Sequence, residues 1–176
     1  MRSTINFIAV IAAMVAVGAT PLAASAKVMK REGTWQLALV PMGPGVMMCA
    51  ATSHEDATRS VFDYIVVNRR LTAFRISGPL IEKLADTNEG KFVMAVDDQS
   101  PVGLIGQKGG AFVVMPIARD SDAKRDFVRS IAAGKQLTVS VLGGETLGRF
   151  DLRGADKVLR AFGPCVARLP DRDLPS

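Results

Sequence analysis

The stretch from Gln136 to Cys165 constrains the fold of this chain more than any other, because three structural patterns follow one another in it without interruption. Apolar residues alternate with polar ones from Leu137 to Val141, two glycines follow, and a second alternating run ends at Leu152. Alternation with a period of two on both sides of a Gly-Gly pair predicts a β-hairpin. The chain is therefore expected to contain antiparallel strands.

The same period of two recurs along the chain and predicts seven further strands. They cover residues 34–39, 46–51, 62–66, 71–76, 92–96, 102–105 and 112–115. Helical spacing occurs after Ser121, where Gly134 ends it, and after Gly154, where Gly163-Pro164 ends it. Residues 80–84 fit a short helix or an irregular loop equally well. The predicted fold class is mainly β: an antiparallel β-sandwich or barrel with two short amphipathic helices.

The first 26 residues have the three parts of a secretory signal peptide. Met1-Arg2 gives a positive end, Phe7 to Val17 is an apolar core, and Ala24-Ser25-Ala26 fits the small-x-small cleavage pattern. An uncleaved membrane anchor is the alternative, but this apolar run is shorter than the roughly 20 residues that a spanning helix needs. We expect an exported protein that is periplasmic, secreted or associated with the outer membrane.

The rest of the chain is long enough for one domain with its own core. We expect this domain to cover residues 27–168. Residues 27–33 are charged and are expected to be frayed, and residues 53–59 read as a polar loop. The proline-containing segment 169–176 is expected to be a disordered tail, because it cannot easily join a sheet.

Cys49 and Cys165 are the only cysteines in the sequence. In an exported chain such a pair predicts a disulfide, which here closes a loop of roughly 117 residues and contributes at most about 4 to 5 kcal/mol in the chain-entropy estimate. A nucleophilic or metal-binding pair is the alternative, and it would need a nearby histidine or further ligands. The one histidine, His54, lies in a polar, turn-prone stretch and is expected to be a solvated loop residue.

The net charge excludes one class of partner. The formal net charge is +5. Removal of the signal peptide removes Arg2, which leaves 21 Lys and Arg against 17 Asp and Glu and a net charge of +4. The cations are scattered and few aromatic residues lie among them, so we expect no nucleic-acid binding. A weak contact with an anionic membrane surface is the most that this charge predicts.

Few residues suggest catalysis or metal binding. Asp97 and Asp98 are adjacent, but neighbouring carboxylates on a strand point to opposite faces, and the Asp-x-Asp-x-Asp-Gly calcium pattern does not occur. A Ser-His-Asp arrangement would have to use His54, and the sequence has no Gly-x-Ser-x-Gly motif. Catalysis by a pair of carboxylates stays an open alternative, because only the distance between the two groups in the fold decides it. We expect no catalytic residues, no metal site and no cofactor.

Several motifs occur in an order that is typical of one family. They are a first strand led by Trp35, a cysteine soon after it, a strand that ends at Val96-Asp97, a helix that leads into Gly134–Val139, and the segment Phe150–Gly154. The chain resembles the invasion-associated locus B family of exported alphaproteobacterial proteins, although it lacks the further cysteines of that family. The resemblance implies a compact β-rich periplasmic or envelope domain linked to host-cell interaction, with no catalytic residues to carry over.

The function that the sequence favours is non-catalytic binding of an unidentified envelope or host protein. We expect the binding surface on loops such as 52–59 or 97–101. Two alternatives stay open: a carrier that holds a small ligand or lipid inside a β-barrel, and an inhibitor of a periplasmic hydrolase. A large apolar void inside the fold would favour the carrier, and a filled interior would favour binding at the surface.

Overall fold

The computed structural model of the protein describes residues 26–84, 89–118 and 122–174. Ten strands lie in these ranges: β1 (Lys27–Glu32), β2 (Trp35–Gly43), β3 (Val46–Glu55), β4 (Ser60–Val67), β5 (Leu71–Ser77), β6 (Gly90–Val96), β7 (Val102–Gly109), β8 (Phe112–Pro116), β9 (Gln136–Val141) and β10 (Thr146–Asp151). The same ranges contain four helical segments: α1 (Pro79–Glu82), α2 (Asp122–Ala133), α3 (Ala155–Arg160) and α4 (Phe162–Val166).

The ten strands form one sheet in the order β1-β2-β3-β4-β5-β8-β7-β6-β9-β10. Every neighbouring pair is antiparallel. We call β1–β5 together with β8 the first half of the sheet, and β6, β7, β9 and β10 the second half. All nine strands predicted from alternation are present, and the predicted mainly β, antiparallel fold is confirmed.

The sheet curls until its last strand, β10, lies against the first half. Alternate residues of β10 direct main-chain N–H or C=O groups away from β9, and these groups form hydrogen bonds with side chains of the first half. Trp35 Nε1 donates to the oxygen of Asp151 (2.8 Å), Ser60 Oγ donates to the oxygen of Leu147 (2.8 Å), and the amide of Arg149 donates to Glu55 Oε2 (3.0 Å). These bonds satisfy an edge that would otherwise be a template for pairing with another chain.

The main core lies inside the curled sheet and is rich in aromatic rings. Phe62 lies at its centre, with ring centroids 5.7 Å from Phe74 and 5.6 Å from Phe150. Further ring contacts extend the cluster in three directions, to Trp35, Phe127, and Tyr64 with Phe162. The same cluster contains apolar residues from both halves, so each half covers the inner face of the other.

The predicted disulfide is confirmed. Cys49 on β3 and Cys165 on α4 are bonded, with their Cα atoms 6.1 Å apart, and both are fully buried. The bond ties the last helical segment to the inner face of the first half.

Three local predictions were wrong. Residues 27–33 are not frayed, because β1 pairs with β2, with Lys27 opposite Leu39. The polar segment 53–59 is not all loop, because β3 continues to Glu55 and the turn covers only residues 56–59. Sequence reasoning failed here because a polar side chain can be buried in a strand once it has a partner: the hydroxyl of Ser53 is fully buried and lies 3.4 Å from the hydroxyl of Thr34.

The third wrong prediction concerns the end of the chain. Gly163-Pro164 does not end helical structure, because both residues lie in the first turn of α4. Proline is tolerated there, since the amides of a first helical turn need no partner within the helix. The described ranges therefore contain four helical segments, where two were predicted; α2 and α3 are the predicted two. Residues 80–84, which fitted a short helix or an irregular loop equally well, overlap with α1, which ends at Glu82.

Parts of the sequence analysis fall on residues outside the described ranges. They are the signal peptide over residues 1–25, the residue Ser121, after which helical spacing was predicted to begin, and the last two residues of the tail. The division into signal peptide, domain and tail stays a prediction. Within the described ranges, none of the helices is long and apolar enough to cross a membrane.

Candidate interaction surface

The first half of the sheet carries apolar side chains on both of its faces. On β4, Phe62, Tyr64 and Val66 point into the main core, whereas Ile65 and Val67 belong to a second cluster of buried apolar residues. We call the face that carries this second cluster the outer face. A sheet with one face packed on a core normally presents alternating polar residues on its other face. The outer face departs from this rule.

The second cluster spans four strands of the first half. Its buried members are Met48, Ala50, Ile65, Val67, Ala73 and Val114. Partly buried apolar residues surround them: Val40, Met42, Val46, Leu71, Phe112 and Leu174. Among these described residues, Leu174 alone comes from outside the sheet. The outer face therefore carries a second buried apolar layer.

Strand register arranges the centre of the outer face in three rows of side chains that cross the strands, which we call the floor, the apolar wall and the polar wall. The floor is a row of mostly small side chains in register on β2, β3, β4 and β5: Ala38, Ala50, Ile65 and Ala73. No floor residue is more than 6% exposed. One wall is apolar and consists of Val40, Met48, Val67 and Leu71. The other wall is polar and consists of Gln36, Thr52, Asp63 and Arg75.

The polar wall contains a buried ion pair. Arg75 Nε donates to Asp63 Oδ2 at 2.7 Å, and Thr52 donates to the other carboxylate oxygen. The Asp63 side chain is 1% exposed and that of Arg75 is 23% exposed. A buried carboxylate is stable only when its oxygens have partners, and both oxygens of Asp63 have one. Asp63 is thus engaged in holding three neighbouring strands together.

The C-terminal tail lies at one end of this surface. Leu169 is buried in the main core, whereas Leu174 packs against the second cluster, so the tail links the two faces of the sheet. Polar contacts hold it against the turns that follow β2 and β4: Arg172 Nε donates to the oxygen of Gly45 at 2.7 Å, and Arg70 forms ion pairs with Asp171 and Asp173 at 3.1 Å and 3.6 Å. These ion pairs are exposed, so each contributes little by itself.

The aspartates singled out in the sequence serve the fold, and the histidine lies at the end of the outer face. His54 is exposed, as expected, but it lies on β3 and not in a loop, two residues beyond Thr52 on the same face. Asp97 accepts main-chain hydrogen bonds from Lys135 and Gln136, at 3.1 Å and 2.8 Å, so it fixes the start of β9. Asp98 is exposed beside it. Among the described residues, no group of three or more His, Cys, Asp or Glu could hold a metal ion.

One group in the main core has a shifted pKa. Burial raises the pKa of the Tyr64 hydroxyl, because the charged form would lose its hydration. Tyr64 stacks on Phe162 of α4 at 4.6 Å, so its ring packs α4 against the first half. The tyrosine is a packing residue.

Sequence reasoning missed the outer face, although a signal for it was present. The runs Tyr64–Val67, Met47–Ala51 and Val113–Met115 are apolar at every position. A continuous apolar run of this length is typical of a strand that is buried on both faces. Reading only alternate residues identified the inner face and left Ile65 and Val67 unassigned.

Comparison with known proteins shows the likeness of the fold. No family model and no curated protein matches this chain. The structure is similar to the crystal structure of invasion associated protein B from Bartonella henselae, with a TM-score of 0.50 and 14% sequence identity over 78% of this chain and 97% of that one. This supports a distant relationship at the level of the fold.

Proposed function

We propose that this chain is an exported, non-catalytic binding protein of the cell envelope, and that it binds its partner through the outer face of the first half. One observation carries the proposal: β3, β4 and β5 place buried apolar residues on the face turned away from the main core. The half-buried apolar residues around this buried cluster, among them Val40, Leu71 and Phe112, are the apolar surface that a partner would contact.

Binding is favoured over catalysis because the candidate chemical groups are engaged elsewhere. Asp63 is neutralised by Arg75, and Asp97 bonds the main chain at the start of β9. His54 is exposed on the turn side of β3. A general acid or base needs a proton-accepting group that faces a bound substrate, and the carboxylates of Asp63 and Asp97 are both occupied by hydrogen bonds within the fold.

The carrier alternative is less favoured, because aromatic rings run through the interior. The ring contacts from Trp35 through Phe62 to Phe74 and Phe127 occupy the space in which a barrel would hold a ligand. Binding at the surface fits this filled core better. The inhibitor alternative differs only in the identity of the partner.

Two observations support a place outside the cytoplasm. A disulfide is typical of exported proteins, and the fold is similar to that of a protein named for invasion. We propose an envelope partner, with a host protein as the finer possibility that the name of the similar protein suggests. The scattered positive charge adds at most a weak contact with anionic membrane.

Site-specific photo-crosslinking tests the proposal. A photoreactive amino acid is placed at Leu71, on the rim of the outer face, in the full chain expressed and exported in its own host. The matched control carries it at Leu142, an exposed leucine of the second half. We expect one partner, identified by mass spectrometry, to be captured at Leu71 only. Identical adducts at both positions, or none at Leu71, would contradict the proposal.

A further inference from the structure

The two edges of the sheet differ in how their main-chain groups are satisfied. On β10, the groups directed away from β9 form hydrogen bonds with the side chains of Trp35, Ser60 and Glu55. On β1, the bond from another element goes to the side chain of Glu32, and no described residue outside β2 bonds the main chain of this strand. Main-chain groups left open on an edge strand are a template for an added strand.

Strand register identifies one residue of β1 whose main chain faces outward. Glu32 and Trp35 flank the two-residue turn Gly33-Thr34. In such a hairpin the pair next to the turn exchanges main-chain hydrogen bonds, and the following pair does not. The following pair is Arg31 with Gln36, so the N–H and C=O of Arg31 are directed away from β2. An added strand can form hydrogen bonds with them.

The open part of this edge is short. Gly154 lies close to the end of β1, since a Cβ atom built on it would be 2.8 Å from the main-chain oxygen of Glu32. The register shifts between Val28 and Lys30, and a shift of this kind bends a strand. The edge therefore offers residues 27–31, which suffices for an added segment of about four to five residues.

The charge of β1 limits which strand can pair with it. Lys27, Lys30 and Arg31 are exposed, and none of them forms an ion pair with a described residue, because the ion pair of β1 uses Glu32. Cations on an edge discourage unselective pairing. Two copies of β1 would bring these cations together, whereas acidic side chains on an added strand would lie about 5 Å from them across the ladder. The charge therefore favours an acidic segment of another protein over a second copy.

We infer that β1 binds a short, extended, acidic segment of a partner protein, which adds to the sheet beside residues 27–31. Main-chain hydrogen bonds hold the segment, and its acidic side chains select it by their match to the three cations. Val28 is 41% exposed and lies beside Ala38 on the outer face, so it gives the segment one apolar contact.

This site is separate from the one in the proposed function. Leu71 lies on β5, and β1 is four strand spacings, or about 19 Å, away from that strand. The inference therefore adds a second contact surface and does not depend on binding at the outer face.

Peptide binding to the exported, disulfide-bonded protein tests this inference. The probe is a synthetic peptide of about six residues with blocked ends, in which glutamates alternate in pairs with valine and threonine so that both faces are acidic. The control peptide has the same sequence with every interior amide N-methylated, so it keeps the charge and loses its main-chain donors. We expect saturable binding of the probe in fluorescence anisotropy, and at least about tenfold weaker binding of the N-methylated peptide.

Variants locate the binding site. Arg31→Pro removes the outward N–H and is expected to weaken binding of the probe at least about tenfold, and edge strands tolerate proline where the N–H faces solvent. Arg31→Gln keeps this N–H and removes the charge, so it should weaken binding less, by about threefold. Lys30→Glu should weaken binding at least about fivefold and serves in case Arg31→Pro does not fold. Lys91→Glu makes the same change of charge in the second half and should leave binding unchanged.

Several outcomes would overturn the inference. Equal binding of the two peptides would show that charge alone attracts the probe, and equal binding to Lys30→Glu and Lys91→Glu would place the contact away from β1. The absence of saturable binding would overturn it as well. A concentration-dependent dimer that Arg31→Pro abolishes would identify a second copy as the occupant of this edge. Capture of a partner at Leu71 tests the proposed function separately, and that function stands if the peptide result alone is negative.

Discussion

The outer faces of the two halves of the sheet differ, although both halves belong to one continuous sheet and share one core. In the second half, β9 alternates strictly, with Leu137 and Val139 buried and Thr138 and Ser140 turned outward. In the first half, β4 is buried at nearly every position. The second half therefore has one face for the core and one for water, whereas the first half has apolar residues on both.

The exposed apolar residues of the second half sharpen this contrast. Ile105 and Leu142 are 59% and 57% exposed, and they lie on either side of Lys91, which is opposite Ile105 and accepts a main-chain hydrogen bond from Leu142. Single exposed apolar residues of this kind are normal on protein surfaces. A cluster of six buried residues on an outer face is not, and this difference is the basis of the proposal that the first half binds the partner.

The largest expected effect comes from the disulfide, which ties α4 and the tail to the first half. Replacing both cysteines, with Cys49→Ala and Cys165→Ala, should lower the free energy of unfolding by about 3 to 5 kcal/mol, because the unfolded chain gains the freedom of a long loop. Urea denaturation measures the loss. Limited proteolysis should then cut after Arg172 in the double variant before it cuts elsewhere. Equal urea midpoints for the two proteins would contradict the prediction.

The buried ion pair gives the next largest effect and belongs to the outer face alone. Asp63→Ala should cost about 3 kcal/mol, because it leaves Arg75 and Thr52 without their partner. The double variant Asp63→Leu with Arg75→Met should recover most of this loss, since it removes both charges. Chemical denaturation measures both.

The control for this prediction is an exposed pair on α2. Asp126 accepts a hydrogen bond from Arg129 at 3.1 Å, and both side chains are largely exposed. Asp126→Ala should change the unfolding free energy by no more than about 0.5 kcal/mol. If Asp63→Ala and Asp126→Ala lower the free energy of unfolding equally, burial does not strengthen the Asp63–Arg75 pair, and the contrast between the halves weakens.

Sequence patterns predicted the inner architecture well because an inner face leaves a simple trace. Period-two alternation identified nine of the ten strands, and the cysteine pair together with export predicted the disulfide. The strand β1 was missed because Lys27, Lys30 and Arg31 resemble a frayed terminus, although charged residues are common on edge strands, where they discourage pairing with other chains.

The rows of side chains on the outer face could not be predicted, because they depend on register across four strands. Ala38, Ala50, Ile65 and Ala73 align only through the turns that join those strands. One of these turns holds Asn68 and Arg69 at positive φ, which is uncommon for arginine, and the buried Asn68 side chain accepts from the Met47 amide and donates to the Gly45 oxygen. Such a turn leaves no clear signal in the residue types.

A matched pair of neighbours on β4 compares the two faces directly. Val66 points into the main core and Val67 into the second cluster, and both are nearly fully buried. Val66→Ala should cost about 2 kcal/mol, from the lost methyl groups and the cavity they leave. Val67→Ala should cost about 1 kcal/mol, because the outer face can relax where Leu174 is its described cover from outside the sheet.

Chemical denaturation measures the free energy of unfolding of both variants. Equal losses for Val66→Ala and Val67→Ala would mean that the outer face is packed as closely as the main core, and the distinction between the halves would lose its functional meaning.

The smallest expected effect concerns the edge of the first half, where β1 is joined to α3. Lys157 Nζ donates to Glu32 Oε1 at 2.7 Å. This bond lowers the pKa of Glu32 below its ordinary value of 4.5 and raises that of Lys157 above 10.5. The lowered pKa of Glu32 stabilises the fold above pH 4.5, and this stabilisation is lost as the pH falls through the shifted value. The raised pKa of Lys157 stabilises the fold below pH 10.5, and this stabilisation is lost as the pH rises through the shifted value.

The pair should therefore stabilise the protein fully between about pH 4.5 and pH 10.5, and this effect should decrease as the pH falls below 4.5 through the lowered pKa of Glu32. Lys157→Met should lower the melting temperature slightly at about pH 7, by less at about pH 2, and by less at high salt, because both groups are exposed. Lys91→Met, on the outer face of the second half, is the control and should leave the melting temperature unchanged at both pH values. A melting difference for Lys157→Met that is as large at pH 2 as at pH 7 would show that lost packing of the lysine stem, and not its charge, joins β1 to α3.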